Sequence, residues 1–257
     1  MIIQTLLLFL AGIVAGLLQS ITGLASLVSY PALLFAGLPP VSANINNTIA
    51  LIFSGVGSIL SSFKDLKNHW KTVIIFLIIT SFGSIVGSFI LIEAPAKSFE
   101  KIVPFFVLAA GILLIQSNKP KNQNDRSVMK WTLNQGVTRV ISLLALGAVG
   151  IYNGYFGAAG GIMFLAILSF ILDTSFASIN ATKNLMTFVG NLIAGIVFIF
   201  RYPISWETII ILGVGLFIGG FIGPIVVRHV NIHLLRNIIS LLAIMLAVYL
   251  FVTAYKI

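Results

Sequence analysis

GLLQSITGLASLVSYPALLFAGLPPVSANINNT at residues 16–48 and GIYNGYFGAAGGIMFLAILSFILDTSFASINAT at residues 150–182 are the stretches on which the fold turns. Laid over each other without a gap, they share Gly16 with Gly150, Gly23 with Gly157, Ala25 with Ala159, Ala32 with Ala166, Leu34 with Leu168, and Leu38 with Leu172. The match continues through Ala43 with Ala177, Ile45 with Ile179, Asn46 with Asn180, and Thr48 with Thr182. After a two-residue slip, Trp70, Thr72, Ile74, Ile75, Gly83 and Gly87 meet Trp206, Thr208, Ile210, Ile211, Gly219 and Gly223. Apolar sequence of low complexity matches itself by chance, but shared Trp, Asn and Thr positions are poorly explained that way. We read a duplicated unit that covers nearly the whole chain.

Composition says what solvent surrounds that unit. Of 257 residues 59% are apolar and 8% are charged, with a mean hydropathy of +1.11. A soluble domain carries about a quarter charged residues because its surface faces water. A soluble globule is therefore excluded, and most of the surface must face lipid. The chain has no cysteine, which removes disulfides, thiolate metal sites and cysteine nucleophiles together. A net charge of +9 would suggest nucleic acid in a soluble protein. Here the cations sit in short connections between apolar runs, where they act as topology signals, so the expected partners are the lipid bilayer and a small solute, not nucleic acid.

Apolar runs fall at residues 2–18, 24–38, 48–63, 72–92, 102–116, 137–156, 160–172, 183–200, 208–227 and 237–255. A full span needs about 20 residues, so the second and seventh runs are too short to cross as ordinary helices. The first run has no basic n-region and no clear cleavage site, and is read as a retained helix, not a signal peptide. Lys64, Lys67 and Lys71 follow run three, and Lys119, Lys121, Arg126, Lys130 and Arg139 lie between runs five and six. Both connections are expected in the cytoplasm, with the neutral 93–101 connection outside. In the second half the basic bias moves one connection later, to Arg228, His229, His233 and Arg236. Five segments per copy is an odd number, so the second copy is expected upside down relative to the first. The predicted fold is an all-α polytopic membrane protein of about ten segments, a five-plus-five inverted repeat with short or broken helices near the midplane. Residues 1–116 form the first repeat, 117–136 a cytoplasmic linker and 137–257 the second repeat, with both termini outside the cell membrane.

Each copy breaks its apolar pattern at the same two places. The first is Gln19 to Ser26, matching Asn153 to Gly161. Glycine there frees backbone N–H and C=O groups, which at membrane depth are tolerable only against protein or a water-filled cavity. Close helix packing through small residues is the competing reading. Gln19, Ser20, Thr22 and Ser26, with Asn153 and Tyr155, add polar groups that packing does not require, around Gly23, Gly157, Gly160 and Gly161. The second break is Pro39 to Thr48, matching Asp173 to Asn184. Ser42, Asn44, Ser178 and Asn180 have the chemistry of helix N-caps. Yet Asn44, Asn46, Asn47 and Thr48, with Asn180, Thr182, Lys183 and Asn184, offer more donors than one helix end can use. A helix N-terminus also suits an anion. Lys183 is the one basic residue tied to a break, and its repeat partner is Ile49. It either snorkels to the cytoplasmic surface or serves a site at depth.

The glycine-rich stretch, the apolar run and the Asn/Thr-rich start of the next helix, twice over, resemble the sulfite exporter TauE/SafE family, also called the toluene sulfonate uptake permeases. The matching residues are Gly16 to Pro31 with Leu38 to Thr48, then Gly150 to Gly161 with Ala177 to Thr182. FGAAGG at 156–161 fits the pattern well, while TGLASL at 22–27 carries it without the paired glycines. The resemblance implies a polytopic carrier for sulfur-containing or organic anions such as sulfite or sulfonates. A secondary transporter of a small oxyanion is therefore expected, with eighteen polar and glycine positions at the breaks lining its site: Gln19, Ser20, Thr22, Gly23, Ser26, Asn44, Asn46, Asn47, Thr48, Asn153, Tyr155, Gly157, Gly160, Gly161, Asn180, Thr182, Lys183 and Asn184. An anion channel using the same groups is the alternative. No HExxH or GxSxG motif occurs, the three histidines lie in connections, and no enzyme activity, metal or cofactor is expected. The carboxylates Asp65, Glu93, Glu100, Asp125 and Glu207 all read as loop residues, which leaves energy coupling open between proton, sodium and no ion.

Overall fold

The computed structural model describes residues 2–66, 70–116, 135–157, 160–172, 174–226 and 232–255. The basic connection from Lys119 to Lys130, Lys67, His69, Asp173, Arg228 and His229 lie outside the described residues, as does most of the 117–136 linker. Within the described residues the regular structure is all helical. The helices are α1 (Ile2–Thr22), α2 (Ser26–Phe35), α3 (Pro40–Ser62), α4 (Trp70–Glu93) and α5 (Ala96–Gln116), then α6 (Gln135–Tyr155), α7 (Gly160–Ile171), α8 (Phe176–Arg201), α9 (Trp206–Val226) and α10 (Ile232–Tyr255). A single 3₁₀ turn, Phe63–Leu66, closes α3. Helices α2 and α7 have 10 and 12 residues. At about 1.5 Å per residue they reach roughly half of a 30 Å hydrocarbon core. Five described helices are long and apolar enough to cross it, namely Ile3–Thr22, Pro40–Leu66, Trp70–Glu93, Phe176–Arg201 and Trp206–Gly223.

Helices α3 and α8 start well before their apolar runs. α3 begins at Pro40, where proline loses no hydrogen bond because the first N–H of a helix has no partner in any case. α8 begins at Phe176 behind Ser175, whose Oγ accepts from the Ser178 N–H at 3.3 Å. The caps are thus Pro39 and Ser175, and Ser42, Asn44, Ser178 and Asn180 sit inside the helices, correcting their reading as N-caps. The polar stretches 41–48 and 177–184 are helix. Periodicity missed them because their polar side chains face protein, not water. Glu100 also changes place: α5 opens at Ala96, just after Pro95, so this carboxylate is a half-buried helical residue and not part of a loop. His233 and Arg236 likewise fall within α10.

The molecule buries polarity and exposes hydrocarbon. Leu7, Phe82, Leu144 and Phe200 are exposed, while Asn44, Asn46, Asn47, Asn153, Lys183 and Asn184 are buried. This inversion is what a hydrocarbon solvent favours, since apolar side chains lose nothing by facing lipid and polar ones must find partners inside.

Glycine seams set how the helices pair. α1 packs along α9 and α6 along α4, while α3 packs on α8 and α5 lies on α10. On the first seam Gly12 lies against Gly215, Gly16 against Gly219 and Gly220, and Ser20 against Gly223. Both numbers rise together, so α1 and α9 run parallel. On the second, Gly83 lies against Gly147 and Gly150, and Gly87 against Ile151 and Tyr155, which makes α4 and α6 parallel too. Each seam carries glycines four residues apart on both sides, the spacing that lets two backbones touch. A methyl group at Gly16, Gly87 or Gly219 would strike main chain of the facing helix.

Candidate functional site

The two glycine breaks share one backbone device. Gly23 has φ +78° and Gly157 φ +73°, conformations that cost a side-chain-bearing residue about 1–2 kcal/mol. The Gly23 N–H turns back to the carbonyls of Leu18 and Gln19, both at 3.0 Å, and the Gly157 N–H to that of Tyr152 at 3.1 Å. Each turn ends its helix and leaves the last carbonyls without a following N–H. The breaks touch: a Cβ on Gly23 would land on the Gly161 and Ile162 backbone, and one on Gly161 on that of Gly23.

Those carbonyls are met from the opposite copy. Lys183 Nζ, on the second turn of α8, donates to the Gln19 carbonyl at 2.9 Å and to the Ser20 carbonyl at 3.3 Å. Asn180 Nδ2 and Asn184 Nδ2 donate to the same Ser20 carbonyl at 2.9 and 3.4 Å. In the other direction, Asn44 Nδ2 on α3 donates to the Tyr155 carbonyl at 2.8 Å. Asn47 Nδ2 reaches Ser26 Oγ at 3.0 Å, fixing the start of α2 against α3. Lys183 is 0% exposed, so it does not snorkel. Placing a lysine at the centre of a membrane helix costs about 2.5–3.5 kcal/mol on insertion scales. Its compensation comes from two carbonyls at the negative end of α1, with no carboxylate partner among the described residues.

The remaining expected residues divide. The hydroxyls of Thr22, Thr48 and Thr182 bond the carbonyls of Leu18, Asn44 and Ser178 in their own helices, at 2.9, 3.0 and 2.9 Å, so they serve helix geometry. Asn46 is also turned away from the centre: Nδ2 donates to the Ser42 carbonyl at 2.7 Å, and Oδ1 accepts the Ser205 N–H at 3.0 Å, tying α3 to the start of α9. Asn153 Nδ2 donates to Asn191 Oδ1 at 3.1 Å, and Asn153 Oδ1 lies where a Cβ on Gly160 would sit. Tyr155 contributes its carbonyl, while its ring packs edge-on to Phe99 at 5.7 Å.

Four buried acceptors at the breaks have no hydrogen-bond partner: the Oδ1 atoms of Asn44, Asn47, Asn180 and Asn184. Their amide nitrogens face oxygen atoms that can only accept, or a hydroxyl, so the assignment of Oδ1 follows from the network. Three participants escaped the sequence reading. Asn191 lies seven residues after Asn184 on the same face of α8, a spacing that marks it. Tyr30, with a buried hydroxyl lacking a hydrogen-bond partner, looked like one more member of an apolar run. Glu100 joins Tyr30, Pro40 and Thr253 around a cavity of about 250 Å³, and the Pro95 helix start is the signal that would have found it.

A multi-pass helical protein that holds a cation and freed backbone groups between two broken helices has the anatomy of a membrane transporter. The family model of the sulfite exporter TauE/SafE matches residues 8–250, and the chain belongs to that family. It is 25% identical to a probable membrane transporter protein of Haemophilus influenzae, covering 93% of this chain and 91% of that protein. It is 26% identical to the probable membrane transporter protein ORF9 of Sinorhizobium sp, covering 94% and 90%. It is 24% identical to the probable membrane transporter protein YfcA of Escherichia coli K12, covering 92% and 85%. No solved structure gives a significant match.

Proposed function

We propose that the protein is a secondary transporter that moves a small sulfur-containing or organic oxyanion, such as sulfite or a sulfonate, across the cytoplasmic membrane by alternating access. The observation that carries this reading is Lys183, wholly buried where the two breaks meet. An ammonium has three donors; two are engaged by Gln19 and Ser20, and the third is left for an anion oxygen. The four unpaired Asn Oδ1 atoms match an oxyanion that still carries a proton, or the water that enters with it. The family description, sulfite exporter, supports the substrate class.

Opposed orientation of the two copies is part of the same reading. It is supported by α3 and α8, which occupy equivalent places in their copies and run antiparallel: Gly55 lies against Phe188, and Gly195 against Ile52 and Ile49. The backbone contact of Gly23 with Gly161 brings the two breaks together, which favours a carrier over an open pore. Rocking one copy against the other would part that contact and expose Lys183 to one side at a time.

The test is anion flux into proteoliposomes. Lys183→Ala and Asn180→Ala should lower sulfite or sulfonate uptake to the rate of protein-free liposomes while leaving expression intact, and unchanged uptake in both refutes the assignment. Saturable counterflow marks a carrier, and single-channel currents would replace it with a channel.

A further inference from the structure

We infer that the Lys183 ammonium is a tethered substitute for an inorganic cation: it occupies an oxygen-lined cation site at the first helix break, so the protein works without binding sodium there. Broken helices in transporters leave C-terminal carbonyls that coordinate a monovalent cation, because the end of the helix is partially negative and its carbonyls lack N–H partners. At this break Ser20 O accepts no N–H of its own turn, and Gln19 O accepts both the Gly23 N–H and the ammonium. The turn at Gly23 leaves Ser20 O to be met from α8, and three nitrogen donors converge on it. Lys183 Nζ lies at 2.9 Å from Gln19 O and 3.3 Å from Ser20 O. One position after Lys183 and three before it, Asn184 and Asn180 carry buried Oδ1 atoms with no hydrogen-bond partner. The Asn180 and Asn184 amides turn Nδ2 toward Ser20, so the ammonium itself rests on two backbone carbonyls, hard oxygen ligands of the kind a small cation prefers.

The second break supplies the contrast. The position that matches Lys183 there is Ile49, and the Tyr155 carbonyl is met by the neutral Asn44 amide at 2.8 Å. A fixed cation is therefore specific to the first break and not a demand of the duplicated scaffold. A covalently attached charge cannot leave with the substrate, so it attracts an anion without adding a transported ion. That last consequence rests on the carrier reading above; the occupancy of the site does not.

The test is melting of the purified full chain in detergent in sodium, lithium, ethylammonium or choline chloride at equal concentration. The wild type should melt at one temperature in all four. Lys183→Ala should melt lower in choline and regain about 3–6 °C in sodium, lithium or ethylammonium, the rise that a tenfold excess over Kd gives a chain of this size. Lys183→Gln, neutral and shorter, carries the same expectation for sodium and serves if the alanine variant does not purify folded. Sodium stabilisation of the wild type overturns the inference, as does identical melting of the variants in every salt. Reconstituted wild-type uptake should be equal in sodium and choline media. Sodium-dependent uptake overturns the inference and leaves the carrier reading intact, whereas no uptake in either medium sinks the carrier reading while the melting result still decides the cation site.

Discussion

At the first break the α1 carbonyls of Gln19 and Ser20 are held by an ammonium and two amides, and the turning glycine rests on the backbone of the other copy. At the second, the Tyr155 carbonyl is held by the Asn44 amide, and the nearest atom to a Cβ on Gly157 is the Asn153 carbonyl at 3.1 Å. The turn is the same to within a few degrees of φ. What differs is the chemistry brought to it. The two halves share the backbone device that frees carbonyls, while the side chains answering those carbonyls differ, a cationic cluster at the first break and a neutral contact at the second.

The largest test of that contrast is steric. Gly23→Ala adds a side chain at positive φ and drives it into the Gly161 backbone, so strain and overpacking together should cost about 2–5 kcal/mol. Gly157→Ala meets the strain with little obstruction and should cost about 1–2 kcal/mol. Melting of the purified variants compares them, and equal losses would break the asymmetry. A smaller effect separates the capping amides. Asn44→Ala takes away the donor to Tyr155 O and should cost about 1–3 kcal/mol, whereas Asn180→Ala leaves Ser20 O bonded to Lys183 and Asn184 and should cost under about 1 kcal/mol. The reverse ranking would mean that the first break depends on Asn180 more than on its lysine. A further small effect is expected at Asn46, whose loss removes an acceptor from the half-buried Ser205 N–H, at about 1 kcal/mol. Because Asn46 points away from the centre, Asn46→Ala should leave reconstituted uptake near the wild-type rate. Loss of uptake there, with normal melting, would return Asn46 to the site.

Much of the architecture was legible residue by residue. Gly23 and Gly157 stood out because a helix-breaking residue at matching positions of a repeat has a local backbone consequence that needs no tertiary information. The membrane-spanning character followed from composition. The openings of α3 and α8 were not legible in the same way. Their Asn, Ser and Thr residues interrupt the apolar pattern, and that pattern cannot distinguish a polar side chain facing water from one facing a carbonyl across the protein. The caps were displaced for the same reason, and Glu100 was assigned to a loop because a lone carboxylate near Pro95 looks like a connection until α5 is seen to start there.

Amino-acid order alone determined that this chain lives in a bilayer, that its halves share a residue pattern, and where each half breaks, because solvent preference, self-similarity and glycine turns are properties of short stretches. It left open where Lys183 goes, with snorkelling and a buried site standing side by side. Folding buried the side chain, bringing Gln19, 164 residues away, to 2.9 Å from the ammonium. It also chose α9 over nearer helices as the neighbour of α1 along the glycine seam. Such pairings depend on which backbones can approach closely across the whole assembled bundle, and no local pattern contains that information.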